Sequence, residues 1–249
     1  MMILTLAGRE LRSLFISPLA WAILAVVQLV LGFMFLSQVD TFLQWQAQIA
    51  MLDNAPGITE VVVAPLLGNA AIVLLLVVPL LTMRLISEER RNQTLPLLFS
   101  APISMSEIVL GKYLGILSFL LIMVLLIALM PLSLLLGGNI DIGMLAAGLL
   151  GLTLMLASFS AIGLYISSLT SHPTVAAITT FGALLLLWIL NWASNSAPDG
   201  ALAYLSMLQH LQPLLRGVFN SADIAYFLLF IFCFLVLAIR RLDADRLQP

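Results

Sequence analysis

Charge is what this sequence has least of. Asp, Glu, Lys and Arg make up 9% of its 249 residues, while hydrophobic residues make up 62%. A typical soluble domain is about 25% charged and 45–50% apolar. A water-soluble globule of this length could not cover so much apolar surface, because folded area grows more slowly than mass but never vanishes. The composition therefore argues against a soluble fold, a disordered tail and a nucleic-acid binder. Ten basic and twelve acidic residues leave a net charge of −2, which gives no reason to expect a polyanionic partner. Cysteine is nearly absent too. Cys233 stands alone in an apolar run and cannot form an internal disulfide. With only His172 and His210 to join it, most metal sites are excluded. Cys233 reads as a small hydrophobe against lipid or a neighbouring helix, and His210 as an ordinary interfacial histidine.

What is present is long apolar runs. Six stretches approach the roughly 20 residues needed to cross a ~30 Å hydrocarbon core: Leu19–Ser37, Val61–Met83, Tyr113–Leu136, Met144–Ser168, Val175–Trp192 and Ile224–Ile239. None contains Asp, Glu, Lys, Arg or His. Backbone groups in lipid must bond internally, so a span is a helix or part of a closed barrel. The runs are continuous rather than alternating, which selects helices. The expected fold is an all-α integral membrane protein with six transmembrane helices, forming a single transmembrane domain over residues 1–249. The first run is too long for the apolar region of a signal peptide and lacks a small-residue cleavage site, so it reads as a span.

Basic residues set the orientation. With the N-terminus in the cytoplasm, the inner segments hold Arg9, Arg12, Arg84, Arg90, Arg91, Lys112, Arg240, Arg241 and Arg246, and the outer segments hold Arg216. That bias predicts that both termini are cytoplasmic.

The polar segments have structure of their own. Residues 1–17 have helical periodicity, with Ile3, Leu6, Ala7, Leu11, Leu14 and Phe15 on one face and Thr5, Arg9, Glu10, Arg12 and Ser13 on the other. They read as an amphipathic helix in the inner interface, or as a charged flank that only fixes orientation; Ser17-Pro18 ends them. Phe42, Trp45, Ile49 and Leu52 suggest a second interfacial helix on the outer face. The leucine-rich segment between the fifth and sixth runs predicts short outer-face helices. In the 84–112 loop, Ser87 can cap a helix whose first turn carries Glu88 and Glu89. Ser104 or Ser106 can cap the approach to the third span. Leu95, Leu97, Leu98 and Phe99 form an apolar patch beside the charges, suited either to a protein contact or to the lipid interface.

Several chemistries lack their residues. The Gly111-Lys112 pair fails the phosphate-binding loop pattern, since position 106 is Ser and position 113 is Tyr. No base stands in the spans to activate a serine. The chain is expected to have no catalytic, cofactor-binding or metal-ligating residue, and not to be an enzyme. Transporters that run on ion gradients usually keep ionisable groups inside the bundle, at a cost of about 2.5–3.5 kcal/mol each. Here the spans have none, so the energy for any transport is expected to arrive from outside the chain. Gln28, Asn69 and Asn191, the largest polar groups near the spans, are expected to bond between helices. Gly111-x-x-x-Gly115, Ala147-x-x-x-Gly151 and the run Ala157, Ser158, Ser160, Ala161, Gly163 suggest close helix approaches.

The stretch Leu80–Lys112, P-L-L-T-M-R-L-I-S-E-E-R-R-N-Q-T-L-P-L-L-F-S-A-P-I-S-M-S-E-I-V-L-G-K from Pro79, resembles the membrane subunit of ABC transporters of the type-2 permease family. It is most similar to the branch associated with bacterial gliding motility. The opening R-E-L-R-S-L-F-I-S-P-L-A resembles that branch's N-terminal amphipathic helix. The chain has Gln93 where that branch usually has Gly, and Pro96 inside the usual leucine run. The resemblance implies an exporter permease in the bacterial inner membrane, working as a homo- or heterodimer with separate ATPase subunits that bind ATP and Mg. A periplasmic auxiliary subunit is a further expected partner. Within it, Arg84–Phe99 would contain a coupling helix, with Glu88, Glu89, Arg90, Arg91, Thr94, Leu95, Leu97 and Leu98 as contacts, beside Arg9, Glu10 and Arg12. The alternative function is a membrane scaffold or force-transmitting subunit that moves no solute.

Overall fold

The computed structural model describes residues 2–49, 57–95, 103–136, 140–194 and 205–247. Most of these residues are helical, with no strand among them. Among the described residues the α-helices are, in order, α1 Met2–Ile16, α2 Pro18–Ile49, α3 Ala64–Thr82, α4 Ser87–Arg91, α5 Met105–Ser133, α6 Ile142–Leu169, α7 Pro173–Ser194, α8 Met207–Leu215 and α9 Ser221–Leu247. A short π-helical turn, Thr59–Val63, leads into α3, and a 3-10 turn, Leu134–Leu136, ends α5.

Six of these segments are long and apolar enough to cross a membrane, and each contains or largely covers one of the six apolar runs. The chain is a multi-pass membrane protein. The outward faces agree: Leu29 and Phe33 on α2, Leu125 on α5, Ile178 on α7, and Leu229 and Phe232 on α9 are all exposed. Such a surface is too apolar for water and suits lipid. Cys233 is exposed within the same belt.

Two boundaries differ from the sequence reading. The outer amphipathic segment around Trp45 is no separate helix, because α2 runs unbroken from Pro18 to Ile49. No Pro or Gly follows the span to stop it. At 1.5 Å per residue its 32 residues reach roughly 48 Å, so its end projects well beyond a ~30 Å hydrocarbon core. The third spanning helix begins earlier, at Met105. Ser104 is its N-cap and forms a capping box: its hydroxyl accepts from the Glu107 amide, and the Glu107 carboxylate accepts from the Ser104 amide.

Helix α6 is the hub, packing against α3, α5, α7, α8 and α9. Its small residues permit this. Ala157, Ser158, Ser160 and Ala161 are all buried. A Cβ on Gly163 would lie 2.6 Å from Thr82 Cβ, and one on Gly151 2.9 Å from Leu214 Cβ. With no hydrophobic force between helices in lipid, such close backbone approach supplies the packing.

At the end of the bundle away from the termini, α8 lies across α6 and α7. His210 does not sit in the interface as an ordinary surface histidine. It is buried, its Nδ1 lies 2.6 Å from Asp223 Oδ1, and its ring stacks on Tyr226 at 4.0 Å between centroids. The Tyr226 hydroxyl donates to Leu205 O at 2.9 Å. Gln28 also departs from expectation: its Nε2 is shielded and has no hydrogen-bond partner among the described residues.

Candidate functional site

At the other end, α1, α4, the start of α5 and the last turns of α9 converge. The convergence begins with two glycines. A Cβ on Gly111 would sit 2.6 Å from Leu6 Cβ, and one on Gly115 2.6 Å from Glu10 Cβ and 3.1 Å from Ala7 O. Only hydrogen at these positions lets α1 lie directly on α5. Ala7 is buried there, Leu11 and Leu14 pack on the core, and the Phe15 ring meets Phe119 at 5.4 Å. The expected amphipathic pattern of α1 holds, except that Glu10 turns inward.

Lys112 explains why. Its side chain is 4% exposed, and its ammonium lies 2.7 Å from Glu10 Oε1 and 2.7 Å from Glu89 Oε1. One buried cation thus joins α1, α4 and α5. Burying a charge is tolerable only when it is paired and hydrogen-bonded, and two carboxylates satisfy this lysine.

Helix α4 is fixed on its other side as well. Arg90 Nη2 donates to Ser168 O at 2.8 Å on α6 and pairs with Asp245 on α9. Asp245 also lies 3.4 Å from Arg241 Nη2. The two adjacent residues Glu89 and Arg90 therefore anchor α4 to opposite parts of the bundle.

The turn before α4 uses a borrowed cap. Ser87 does not cap it; it occupies the first helical position, and its hydroxyl donates back to Met83 O. The acceptor for the free amides comes instead from α6: Ser167 Oγ accepts from both Ile86 N and Ser87 N at 3.1 Å and donates to Met83 O at 3.1 Å. The far end of α4 closes as a Schellman motif. Thr94 N donates to Glu89 O at 3.0 Å and Gln93 N to Arg90 O at 3.3 Å, with Gln93 at φ +56°. That left-handed backbone is the one glycine adopts freely, and the resembled branch has glycine at this position.

The expected contact residues divide accordingly. Glu88 and Arg91 are exposed, as are Arg9 and Arg12. Glu89 and Arg90 are half-buried structural ties. Leu95, placed by the sequence reading in an exposed patch, is 8% exposed and part of the core. It packs inward because the Schellman turn reverses the chain at Gln93. Leu97, Leu98 and Phe99 lie outside the described residues.

The model of the family described as ABC-2 family transporter protein matches residues 4–246, nearly the whole chain. The chain belongs to that family. No curated relative matches it. ABC-2 membrane proteins are the permease subunits of ABC transporters, and membership implies an ABC ATPase as a general partner. In this ABC-2 protein, the residues that hold α4 were only partly visible in the sequence. Lys112 reads there as a flanking cation, although its place inside Gly111-x-x-x-Gly115 marks a close helix approach. Ser167, Ser168 and Asp245 carry no local signal at all.

Proposed function

We propose that this ABC-2 permease is the membrane half of an ATP-driven exporter and that a separate ATPase docks on α4. The observation that carries the reading is the double anchoring of α4 through Glu89–Lys112–Glu10 and Arg90–Asp245. A load applied to α4 passes to α1, α5 and α9 without a flexible step. Glu88 and Arg91, exposed on the same short helix, are the charges left to meet a partner. ATP and Mg belong to that partner, and this chain contributes docking, a pathway and the transmitted movement.

The bias of basic residues supports placing this end in the cytoplasm, with both termini, in a bacterial inner membrane. A second permease copy, identical or related, completes the pathway in this reading. The gliding-motility branch and a periplasmic auxiliary subunit rest on the resemblance of Leu80–Lys112. Co-expression with a candidate ABC ATPase tests the proposal. Wild type co-purifies with the ATPase, and Glu88→Arg with Arg91→Glu loses it while remaining folded. Retention of the ATPase by that variant overturns the docking assignment. ATP-dependent solute movement in vesicles supports export, whereas nucleotide-driven conformational change without solute movement supports a force-transmitting subunit.

A further inference from the structure

Between α1 and the α3–α4 turn lies a cleft of about 550 Å³. Its lining is amphiphilic. Leu14 lines it from α1, and Leu19, Leu80 and Leu81 where α2 begins and α3 ends; Arg9, Arg84 and Glu88 line it where the chain leaves the bundle. The Lys112 clasp with Glu10 and Glu89 also faces onto it. Among the described residues Arg9, Arg84 and Glu88 form no ion pair or side-chain hydrogen bond, although all three border one space. The volume falls within the ~300–1,000 Å³ typical of ligand sites. Apolar walls meeting charged ones at the ends of two spanning helices match the boundary between acyl chain and headgroup.

We propose that this cleft binds the headgroup of a zwitterionic, ethanolamine-type phospholipid from the leaflet at the charged end. Arg9 and Arg84 hold the phosphate, Glu88 meets the ammonium, and the leucines contact the first acyl carbons. The charge count favours a zwitterion over an anionic lipid. Three cations and three carboxylates line the cleft, so a headgroup of zero net charge fits without excess. Guanidinium groups suit phosphate oxygens because their donors form a planar fork. The bound lipid would wedge between α1 and α4 beside Lys112. The site shares Glu88 with the proposed ATPase contact, whereas Arg9 and Arg84 belong to the lipid site alone, so their variants test the cleft separately from the docking.

The test uses the full chain purified in detergent, with thermal stability followed during titration of dioctanoyl phosphatidylethanolamine. The same titration is run with dioctanoyl phosphatidylglycerol, glycerophosphoethanolamine and inorganic phosphate. Phosphatidylethanolamine is expected to stabilise the wild type saturably, while the two chain-free compounds do not at the same concentrations. Arg9→Gln and Arg84→Gln should each weaken the apparent Kd roughly tenfold, as expected for losing a charge-assisted hydrogen bond. Arg216→Gln, exposed at the opposite end of the bundle just after α8, controls for a general loss of charge and should leave the Kd unchanged. Glu88→Gln should narrow the preference for ethanolamine over glycerol. Equal stabilisation by phosphatidylglycerol in the wild type would reject the zwitterion assignment. Equal stabilisation by inorganic phosphate would make this a free phosphate site, and an unchanged Kd in both arginine variants would remove the lipid from the cleft.

Discussion

Replacing Lys112 by methionine is the sharpest perturbation of the charged end. Methionine has a similar length and no charge, so it deletes the cation while keeping most of the packing. Glu10 Oε1 and Glu89 Oε1 each lie 2.7 Å from Nζ and are therefore within roughly 5 Å of each other. Without the lysine, two half-buried carboxylates face one another. At an effective dielectric of about 20, their repulsion at that separation is ~3 kcal/mol. Breaking a buried ion pair by removing one partner costs about 3–5 kcal/mol in other proteins, which agrees. We expect Lys112→Met to lose about 3 kcal/mol in unfolding by a denaturing-detergent titration in mixed micelles. Adding Glu10→Gln should restore part of that loss, because it removes one side of the repulsion. Glu10→Gln alone should cost less than Lys112→Met, since Glu89 still pairs with the lysine. The reasoning fails if Lys112→Met is as stable as the wild type, or if adding Glu10→Gln makes the variant worse.

Four further outcomes follow from the same geometry. Gln93→Gly should stabilise the end of α4 by about 0.5–1 kcal/mol, because glycine avoids the left-handed penalty; slower hydrogen exchange at the Thr94 amide would report it, and faster exchange would contradict it. Ser167→Ala should cost about 1–3 kcal/mol and speed exchange at the Ile86 and Ser87 amides, which lose their shared acceptor. Gly115→Val should push α1 off α5, measurable as increased protease access to residues 2–16; an unchanged digest would show that the approach is not tight. In a Cys233→Ser background, Asn92→Cys should react with a membrane-impermeant thiol reagent from the cytoplasmic side and Gly57→Cys from the outside, and the reverse pattern would invert the topology.

The spans were legible because a bilayer reads composition directly. Apolar runs of sufficient length leave the backbone little choice but helix. The break at Ser17-Pro18 and the capping box at Ser104 were also visible, being local chemistry. The amphipathic face of α1 was right apart from Glu10, whose inward turn depends on a lysine 102 residues away. The uninterrupted α2 was misread because an amphipathic pattern shows which face is wet, not whether a helix has already begun. Leu95 was misread for a related reason. A leucine beside charges looks exposed until the direction of the following turn is known. His210 and Asp223 pair between two different helices, and nothing in their spacing announces it.

The arrangement of α1 separates chain connectivity from packing. Its nearest covalent neighbour is α2, joined through Ser17, yet its glycine-to-backbone contacts and its salt bridge are with α5. The first and third crossings are thereby yoked by a strut that belongs to one in sequence and to the other in space. The joint between them is itself braced, since Trp21 Nε1 donates to Phe15 O at 2.8 Å across Ser17, so α2 is tied to α5 through α1 as well as by direct contact.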